Sequence, residues 1–414
     1  MLLAFDLVLV LGSIYEKIKS NNASYLFIKN NMEFNMDKDS SHYVLNSALS
    51  YCVDKIKLNA EKFNGGFPSE CTEGGKYTKT NNYEWTPGFW TGQLLLAYVE
   101  SLDSKLFNSL ESVLESFSVR LATRDGTNTH DLGFLYSLST VAYSELMNRK
   151  DYQAISLLAA ELLIERYNEK TGVIQAWGDL SNPELAGRMI IDCTMNLPLL
   201  YWATRVTGNE KYSEIAKSHI DKANKYLVRE DYSTHHTFYM DEETGLPLRG
   251  ETKQGYSNES TWARGQAWAI YGFANSYRHT GESKYLETSM KCADYFIESL
   301  DSSYLPKWDL SLTSADTLVD SSAGAIAGCG LLELARELPI CDPRKKIYEE
   351  TALRIGIALT EVCLSNNDPE CDGLLKHSVY WMKGNVGIDE SCAWGDYFYL
   401  ELLTKLLRPN KSFW

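Results

Sequence analysis

The chain has 414 residues, of which 44% are hydrophobic and 23% are charged, values typical of a globular protein and not of a disordered one. A formal net charge of -15 argues against a nucleic-acid partner, because phosphate binding needs a basic surface. The nine cysteines are scattered and form no Cys-x-x-Cys pair, so we predict neither a disulfide framework nor a zinc site. An anionic ligand would therefore have to be bound by a few locally placed cations.

The N-terminal segment is predicted to be an extension, residues 1–40, in front of a single domain formed by residues 41–414. Residues 1–11 are apolar except for Asp6, but they are too short to span a bilayer and lack a basic start. We therefore predict a cytoplasmic protein without membrane association. The alternative is export, if residues 1–20 act as a signal peptide.

Helical periodicity runs through most of the chain, with apolar residues three and four positions apart. One such stripe consists of Ile191, Met195, Leu199, Trp202 and Val206. No run of similar length alternates with period two, so no sheet is expected. The pattern predicts twelve helices, at residues 42–63, 88–100, 103–121, 131–149, 151–166, 191–206, 209–227, 261–279, 282–300, 320–337, 345–364 and 392–406.

Very short links join many of these helices, as at Thr207-Gly208 and Thr280-Gly281, and helices linked in this way pack antiparallel. The helix that opens a pair is often apolar or small, as at residues 323–328, whereas its partner carries a charged face. We therefore predict an all-α fold, an (α/α)6 barrel of six helical hairpins, in which an outer ring wraps an inner ring. All inner helices then run in one direction, and their N-termini meet at one rim.

Polar and aromatic residues recur at or just before the starts of the inner helices, where helix dipoles and unpaired N–H groups attract anions. They are Trp85, His130, Asp131, Asp192, Trp262 to Gln266, and residues 394–396. The alternative is that the aspartates among them are ordinary N-caps, and we interpret Asp320 and Asp396 in this way.

Two of these residues, Asp131 and Asp192, are predicted to face each other at the rim. A pair of carboxyl groups commonly provides the general acid and the base or nucleophile in sugar hydrolysis. Asp192 lies among apolar neighbours. Because burial and a nearby carboxylate both raise a pKa, Asp192 should hold a proton near neutral pH.

Five motifs resemble those of glycoside hydrolase family 88, in order from about residue 80 to residue 402. They are NYEWTPGFWTG (82–92), HDLGF (130–134), DCTMNLPLL (192–200), STWARGQAW (260–268) and WGDYF (394–398). The resemblance implies an (α/α)6 barrel without metal or cofactor. It also implies action on the 4,5-unsaturated glucuronic acid that polysaccharide lyases leave at the non-reducing end of oligosaccharides. As an oligomeric state we expect a monomer or a weak homodimer.

The resemblance also implies roles for individual residues. Asp192 matches the general acid and base, and Asp131 the carboxylate that assists it. The residues placed around the sugar are Trp85, His130, Trp177, His236, Gln254, Arg264 and Trp268. Ser378 and Lys383 belong to a stretch that resembles one holding a sulfate or carboxylate of the next sugar in some relatives. Trp381 stands where some of those relatives have a second Ser, which puts a preference for sulfated substrates in doubt.

Each of these assignments has an alternative. Tryptophans at helix starts more often belong to the core, and His236 follows His235 in what could be a solvated pair. Arg264 could form a buried ion pair with an aspartate such as Asp320.

The reaction has two candidate mechanisms. In the first, the acid protonates the C4=C5 double bond of the sugar and water adds at C5. In the second, water attacks the anomeric carbon in ordinary two-carboxylate hydrolysis. Two other functions stay open: an unsaturated rhamnogalacturonyl hydrolase, and a barrel that binds acidic oligosaccharides without cleaving them.

Overall fold

A computed structural model describes residues 38–408 and 413–414. Most of the predicted extension 1–40, including the whole of the segment 1–20 considered as a signal peptide, lies outside the described residues. Within the described residues, no helix is both long and apolar enough to cross a membrane. These residues form twelve helices, with the interrupted helix α4 counted once. They are α1 (Lys38–Phe63), α2 (Pro87–Ser101), α3 (Ser104–Thr123), α4 (132–147), α5 (Lys150–Ile164), α6 (Pro198–Thr207), α7 (Lys211–Tyr226), α8 (Ala263–Thr280), α9 (Ser283–Ser299), α10 (Ser321–Glu337), α11 (Pro343–Ala358) and α12 (Ala393–Leu407).

The even-numbered helices form a closed inner ring, since each contacts the next and α12 contacts α2. Burial separates this ring from the outer helices: every residue at positions 263–276 of α8 is buried, whereas α7 buries one face. Small residues let the inner helices approach closely, because a methyl group on Gly328 would lie 2.8 Å from Leu402 Cδ2. The predicted all-α barrel of helical hairpins is confirmed.

Helices α2, α4, α6 and α8 each end at a residue in the left-handed region, and this residue turns the chain back toward the next helix. These residues are Leu102, Asn148, Gly208 and Gly281, with φ of 53°, 51°, 72° and 70°. In one such link the Gly281 N–H donates to Tyr277 O at 2.7 Å, which closes α8. The chain then reverses within a few residues, as the predicted hairpins require.

Two predicted helices differ in detail from the prediction. The helix predicted at 191–206 is a 3₁₀ turn, Ile191–Met195, followed by a break, and α6 starts only at Pro198. The reason is that Pro198 has no backbone N–H to donate to the preceding turn but suits the first turn of a helix. Helix α4 is interrupted by a π-helical segment, Ser137–Val141, between Leu132–Tyr136 and Ala142–Met147.

The expectation that the chain has no sheet is wrong. Four small antiparallel sheets lie in the connections that lead to the inner helices, and their strands, of two to five residues, are too short to display an alternating pattern. The strands are β1 (Phe67–Pro68), β2 (Lys79–Thr80), β3 (Tyr167–Asn168), β4 (Val173–Ile174), β5 (Arg188–Ile190), β6 (Thr237–Met240), β7 (Pro247–Glu251), β8 (Ser378–Trp381) and β9 (Val386–Glu390).

Of the two aspartates interpreted as caps, only one is a cap. Asp320 caps α10, because its carboxylate accepts from the N–H groups of Ser322 and Ala323. For Asp396 the interpretation is wrong: α12 begins at Ala393, so Asp396 lies inside its first turn. Its carboxylate instead accepts from the N–H groups of residues 374 and 375, at 2.9 Å each, and ties that loop to the barrel.

A buried ion cluster joins three helices at the end of the barrel away from the rim. Glu333 of α10 is 1% exposed and accepts from Arg278 of α8 at 2.7 Å, Lys405 of α12 at 3.0 Å and Arg336 at 2.6 Å. Although burial opposes it, the charges of Lys405, Arg278 and Arg336 lower the pKa of Glu333 to about 2. The folded protein therefore holds Glu333 ionised more strongly than the unfolded chain does.

We predict that Glu333→Gln lowers the free energy of unfolding by about 3–5 kcal/mol at neutral pH, because it leaves buried cations without their carboxylate. Since the pKa of Glu333 is depressed on folding, the stabilisation is complete above the pKa of the unfolded chain. It is lost as the pH falls toward about 2. Denaturant unfolding at several pH values measures this difference.

The matched control is Glu337→Gln on the same helix, because Glu337 pairs with Arg336 at 3.4 Å near the surface. It should cost less than about 1 kcal/mol. Equal losses in the two variants would contradict the role given to the buried cluster.

Candidate active site

A cavity of about 420 Å³ opens at the rim where the inner helices begin. Its wall is built by segments that precede these helices, including strands β5 and β8 and the turn before α6. Seven of the eleven predicted site residues line it: Trp85, Asp131, Trp177, Asp192, His236, Gln254 and Arg264. The tertiary structure thus brings together residues that are up to 179 positions apart in the chain, from Trp85 to Arg264.

Asp131 lies at the start of α4 with its side chain 15% exposed. Its Oδ2 accepts a hydrogen bond from Thr129 Oγ1 at 2.5 Å. Burial raises the pKa of Asp131 to about 6, although the Thr129 hydrogen bond, the charge of Arg166 and the amide of Asn196 act in the opposite direction. Asp131 therefore changes its charge close to neutral pH.

Asp192 lies in the 3₁₀ turn before α6, and its Oδ2 is buried without a hydrogen-bond partner. Burial raises the pKa of Asp192 to about 7, the charge of Asp131 raises it further, and Arg264 opposes both. The two causes named from the sequence, burial and a neighbouring carboxylate, are those that operate in the structure. At neutral pH about half of the molecules therefore carry a proton on Asp192.

Three arginines near the cavity have no carboxylate partner among the residues that the structure describes. Arg120 donates to the carbonyl of Gly126 at 2.6 Å, Arg166 to that of Gln175 at 3.0 Å, and Arg188 to that of Trp177 at 2.7 Å. Their charges are therefore not neutralised locally. Although the net charge of the protein is -15, these arginines create a locally positive potential that suits an anionic ligand.

His236 is buried, and it is not half of a solvated pair. Its Nδ1 lies 2.5 Å from Thr237 Oγ1, and its ring centre lies 4.9 Å from that of Trp262. Burial lowers the pKa of His236 to about 3, and the charges of Arg264 and Lys253 also lower it, whereas the side chain of Gln254 acts in the opposite direction. A neutral imidazole and an amide therefore line this side of the cavity.

Arg264 combines the two roles that the sequence left open. It pairs with Asp320 at 2.8 Å, both side chains are almost wholly buried, and it also donates to the carbonyl oxygens of Val379 and Tyr380 at 2.8 Å each. The ion pair considered as an alternative is thus present. Arg264 also lines the cavity, and its Cζ lies 4.3 Å from the ring centre of the buried Trp262.

Two tryptophans form flat walls of the cavity. The Trp85 indole donates from Nε1 to Tyr380 Oη at 3.2 Å and packs 4.9 Å from Trp394. Trp177 has Arg188 Cζ 3.9 Å from its ring centre. The hydrogen bond of Trp85 and the cation against Trp177 hold both rings in defined orientations.

Four predicted site residues do not line the cavity, which corrects their assignment as direct contacts. His130 is fully buried behind Asp131, with Nε2 3.4 Å from Asp131 Oδ1, and burial lowers its pKa to about 3. Trp268 is fully buried between Phe134 and Phe398, at 5.2 and 5.3 Å between ring centres. Both side chains support the wall from behind.

The other two belong to the stretch around β8. Ser378 is buried and its Oγ lies 2.8 Å from Ser321 Oγ, so its hydroxyl points into the protein. Lys383 is exposed in the turn Met382–Gly384, outside the cavity wall. Strand β8 instead presents Tyr380 and Trp381 to the cavity, and its register shifts between Ser378 and Val379.

Sequence reasoning missed several lining residues. Glu70 follows β1 and accepts from Tyr380 Oη at 3.3 Å. Burial and the charge of Glu84 raise its pKa. The other missed residues are Tyr83, Glu84, Arg120, Gly126, Asn128, Thr129, Ile190, Lys253 and Tyr380. Apart from Tyr83 and Glu84, which lie in the 82–92 motif, and Tyr380, in the stretch 378–383, nothing in their local sequence marks them.

We predict that Asp131→Asn lowers the pKa of Asp192 from about 7, because it removes one of the two causes of the shift. Burial remains, so the value should stay above 3.8. Carbon NMR of labelled aspartate side chains across the neutral range measures it. Asp294→Asn is the control, since Asp294 is a buried carboxyl of α9 whose pKa burial raises to about 6. An equal effect of both variants on Asp192 would contradict a direct interaction.

Two carboxyls with raised and coupled pKa values suit the acid and base chemistry of glycoside hydrolases. A closed ring of helical hairpins with such a cavity at its rim defines the class as a glycosidase with an α/α barrel.

Comparison with known proteins agrees with this class. The family model described as Glycosyl Hydrolase Family 88 matches residues 59–327. An unsaturated glucuronyl hydrolase of Bacillus sp. strain GL1 is 39% identical over 86% of this chain and 95% of its own length. An unsaturated chondroitin disaccharide hydrolase of Streptococcus pneumoniae is 39% identical over 89% of this chain and 93% of its own length. The chain belongs to Glycosyl Hydrolase Family 88.

Among solved structures, the unsaturated glucuronyl hydrolase of Streptococcus agalactiae superposes with a TM-score of 0.89 at 37% identity. The match covers 93% of this chain and 96% of the other. The barrel and the connections at its rim are therefore shared over almost the whole length of both proteins.

Proposed function

We propose that this glycosidase releases 4,5-unsaturated glucuronic acid from the non-reducing end of oligosaccharides that polysaccharide lyases produce, from glycosaminoglycans or similar polymers. The relatives at 39% identity are named for this reaction and for chondroitin disaccharides. The single observation that carries the proposal is the placement of Asp192 at the cavity beside Asp131, with its Oδ2 buried and unpartnered. Burial and the charge of Asp131 raise the pKa of Asp192 to about 7. A general acid is most effective when its pKa is near the working pH.

The unsaturated sugar is a vinyl ether, because its C4=C5 bond is attached to the ring oxygen. In the proposed mechanism Asp192 donates its proton to C4, and positive charge develops at C5 and the ring oxygen. Water then adds at C5 and returns a proton to the carboxylate of Asp192. The resulting hemiketal opens to a C5 ketone, and the hemiacetal left at C1 releases the next sugar as an alcohol. The acid is regenerated, and one water is consumed.

Asp131 serves this step through its charge. While ionised it raises the pKa of Asp192, which keeps the proton available. The same negative charge stabilises the cationic character that develops at C5 once the proton has moved. In the proposal Asp131 also accepts hydrogen bonds from sugar hydroxyls.

Substrate binding is assigned to the remaining lining residues. Trp85 and Trp177 offer flat faces to the sugar, and His236 and Gln254 offer neutral hydrogen-bonding groups. Arg264 contributes positive charge for the uronate carboxylate. The arginines without carboxylate partners add to this potential, as the anionic substrate requires.

The next sugar would meet Trp381 and Lys253 at the cavity wall, where Lys253 Nζ lies 5.2 Å from the ring centre of Trp381. Because Ser378 is buried and Lys383 lies outside the cavity wall, neither residue is placed to contact a sulfate group on that sugar. We therefore infer that sulfation is not required. A substrate panel should contain sulfated and unsulfated disaccharides.

We predict that Asp192→Asn reduces kcat by about 10²–10⁴-fold, because the amide cannot donate a proton. The assay follows the loss of ultraviolet absorbance of the C=C bond on a panel of lyase-made disaccharides. Asp125→Asn is the matched control, as Asp125 is an exposed aspartate next to a lining residue of the cavity. Wild-type activity in Asp192→Asn would remove this residue from its proposed role.

The two mechanisms differ in where a solvent proton is deposited. Reaction in deuterium oxide should place deuterium at C4 of the released product, which mass spectrometry and NMR detect. Ordinary hydrolysis at the anomeric carbon leaves C4 unlabelled, so an unlabelled product would contradict hydration of the double bond.

Two other functions fit the cavity less well. A barrel that only binds acidic oligosaccharides gains nothing from a protonated carboxyl, so the pKa of Asp192 disfavours it. An unsaturated rhamnogalacturonyl hydrolase is disfavoured by the names of the relatives reported above. If the enzyme cleaves unsaturated rhamnogalacturonan disaccharides but not unsaturated glycosaminoglycan disaccharides, this preference is reversed.

The cellular setting stays a prediction from the sequence. We propose a cytoplasmic enzyme in which residues 41–414 act as one catalytic domain, as a monomer or weak homodimer. Nothing in the proposed reaction calls for a metal or cofactor.

A further inference from the structure

The side chain of Asn196 joins the two segments that carry the acidic residues. It is completely buried in the turn before α6. Its Oδ1 accepts from the backbone N–H of Phe134 in α4 at 2.6 Å, and its Nδ2 donates to the backbone oxygen of Asp192 at 3.2 Å. The same amide also lowers the pKa of the Asp131 carboxyl. One amide thus contacts the segment of each carboxyl.

The backbone partners determine the orientation of this amide. A backbone N–H can only donate, so it selects the oxygen of Asn196, and a carbonyl can only accept, so it selects the nitrogen. The second N–H of the amide is then left for Asp131. No other side chain of this size offers one acceptor and two donors in this geometry.

The start of α4 and the turn before α6 pack against each other at backbone distance. A methyl group built on Gly133 would lie 2.3 Å from both Cα and O of Asn196, so α4 and the turn are in direct backbone contact. The glycine beside Asp131 allows this approach, and the amide then links the two backbones. Small changes at this contact would move both carboxyls relative to each other.

We propose that Asn196 is a positioning residue that holds Asp131 and Asp192 at their working separation and supports the ionised form of Asp131. This inference rests on the function proposed for the two aspartates. Asn196 does not line the cavity, so it acts through them and not on the sugar.

The amide of Asn196 favours the charged form of Asp131, and its loss raises the pKa of Asp131 above about 6. The other charged and polar groups that influence the two carboxyls stay in place. For Asp131 they are Thr129, His130, Arg120, Arg166, Glu70 and Asp192; for Asp192 they are Asp131 and Arg264. Once Asp131 is ionised, its repulsion on Asp192 is the same as in the wild type.

The pH dependence follows from these signs. Activity needs Asp131 ionised and Asp192 protonated, so it rises through the pKa of Asp131 and falls through that of Asp192. In Asn196→Leu the rising limb moves to higher pH, whereas the falling limb stays in place, because it reports the titration of Asp192 beside an already ionised Asp131. The profile narrows, and kcat at its maximum falls by about 10²-fold because the carboxyls are also misplaced.

The experiment compares Asn196→Leu with Asn275→Leu as the matched control. Asn275 is also completely buried, on α8, with its Oδ1 unpartnered and its Nδ2 3.7 Å from Met195 Sδ. Circular dichroism and Tm verify folding, and kcat, KM and the pH profile are measured on the unsaturated disaccharide. The control should keep the wild-type profile, and Asn196→Leu should show the narrow one with little change in KM.

Asn196→Asp is the second variant, and it keeps the size of the side chain. Its carboxylate accepts from Phe134 N–H but cannot donate to Asp192 O or Asp131, so activity is lost at neutral pH. Part of the activity should return as the pH is lowered and the new group gains a proton. A purely structural role predicts no such recovery.

Carbon NMR titration of the aspartates separates this inference from the proposed function. A raised pKa of Asp131 in Asn196→Leu supports the inference even if no substrate is turned over. An unchanged pKa of Asp131, or a folded Asn196→Leu with wild-type kcat and pH profile, overturns it. Inactivity of the wild type, or full activity of Asp192→Asn, would instead overturn the function.

Discussion

The chemistry of this protein depends on the repulsion between two buried carboxyls. Water would keep both Asp131 and Asp192 ionised at neutral pH, but burial raises their pKa values to about 6 and 7, and the charge of Asp131 adds to the shift of Asp192. One site can therefore hold a proton on one carboxyl and a charge on the other. The cost of burying them is offset by charges and hydrogen bonds from Arg166, Thr129 and Arg264, which limit the shifts.

The closed ring makes this repulsion possible. Because all inner helices run in the same direction, their preceding connections converge at one rim, and each adds a piece of wall. The small sheets give these connections a defined course: β5 leads into the turn that carries Asp192, and β8 presents Tyr380 and Trp381. Inner helices buried on nearly all sides form a rigid base, so the carboxyls have little freedom to move apart.

Part of the candidate site could be predicted from motifs at helix starts, where a barrel brings residues together. Seven of the eleven predicted residues line the cavity. Trp85, Asp131, Asp192 and Arg264 lie in such motifs, whereas Trp177, His236 and Gln254 were predicted only from the family resemblance.

A motif indicates that a residue lies near the site but not in which direction its side chain points. Trp268 lies one turn into α8 and faces the core, and Ser378 points away from the strand neighbours that reach the cavity. The cap predicted at Asp396 is wrong because the sequence does not locate the start of α12 to within a turn.

The sequence by itself determined the helices, their pairing and the presence of two carboxyls at one rim, because apolar periodicity and short links are local properties. Only the tertiary structure decided which charges act on those carboxyls. Arg120 from an outer helix, Glu70 from a loop and the amide of Asn196 reach the site across the chain, and their effect depends on distances and burial. A pKa is set by everything within a few ångströms in space, and no segment of sequence contains that surrounding.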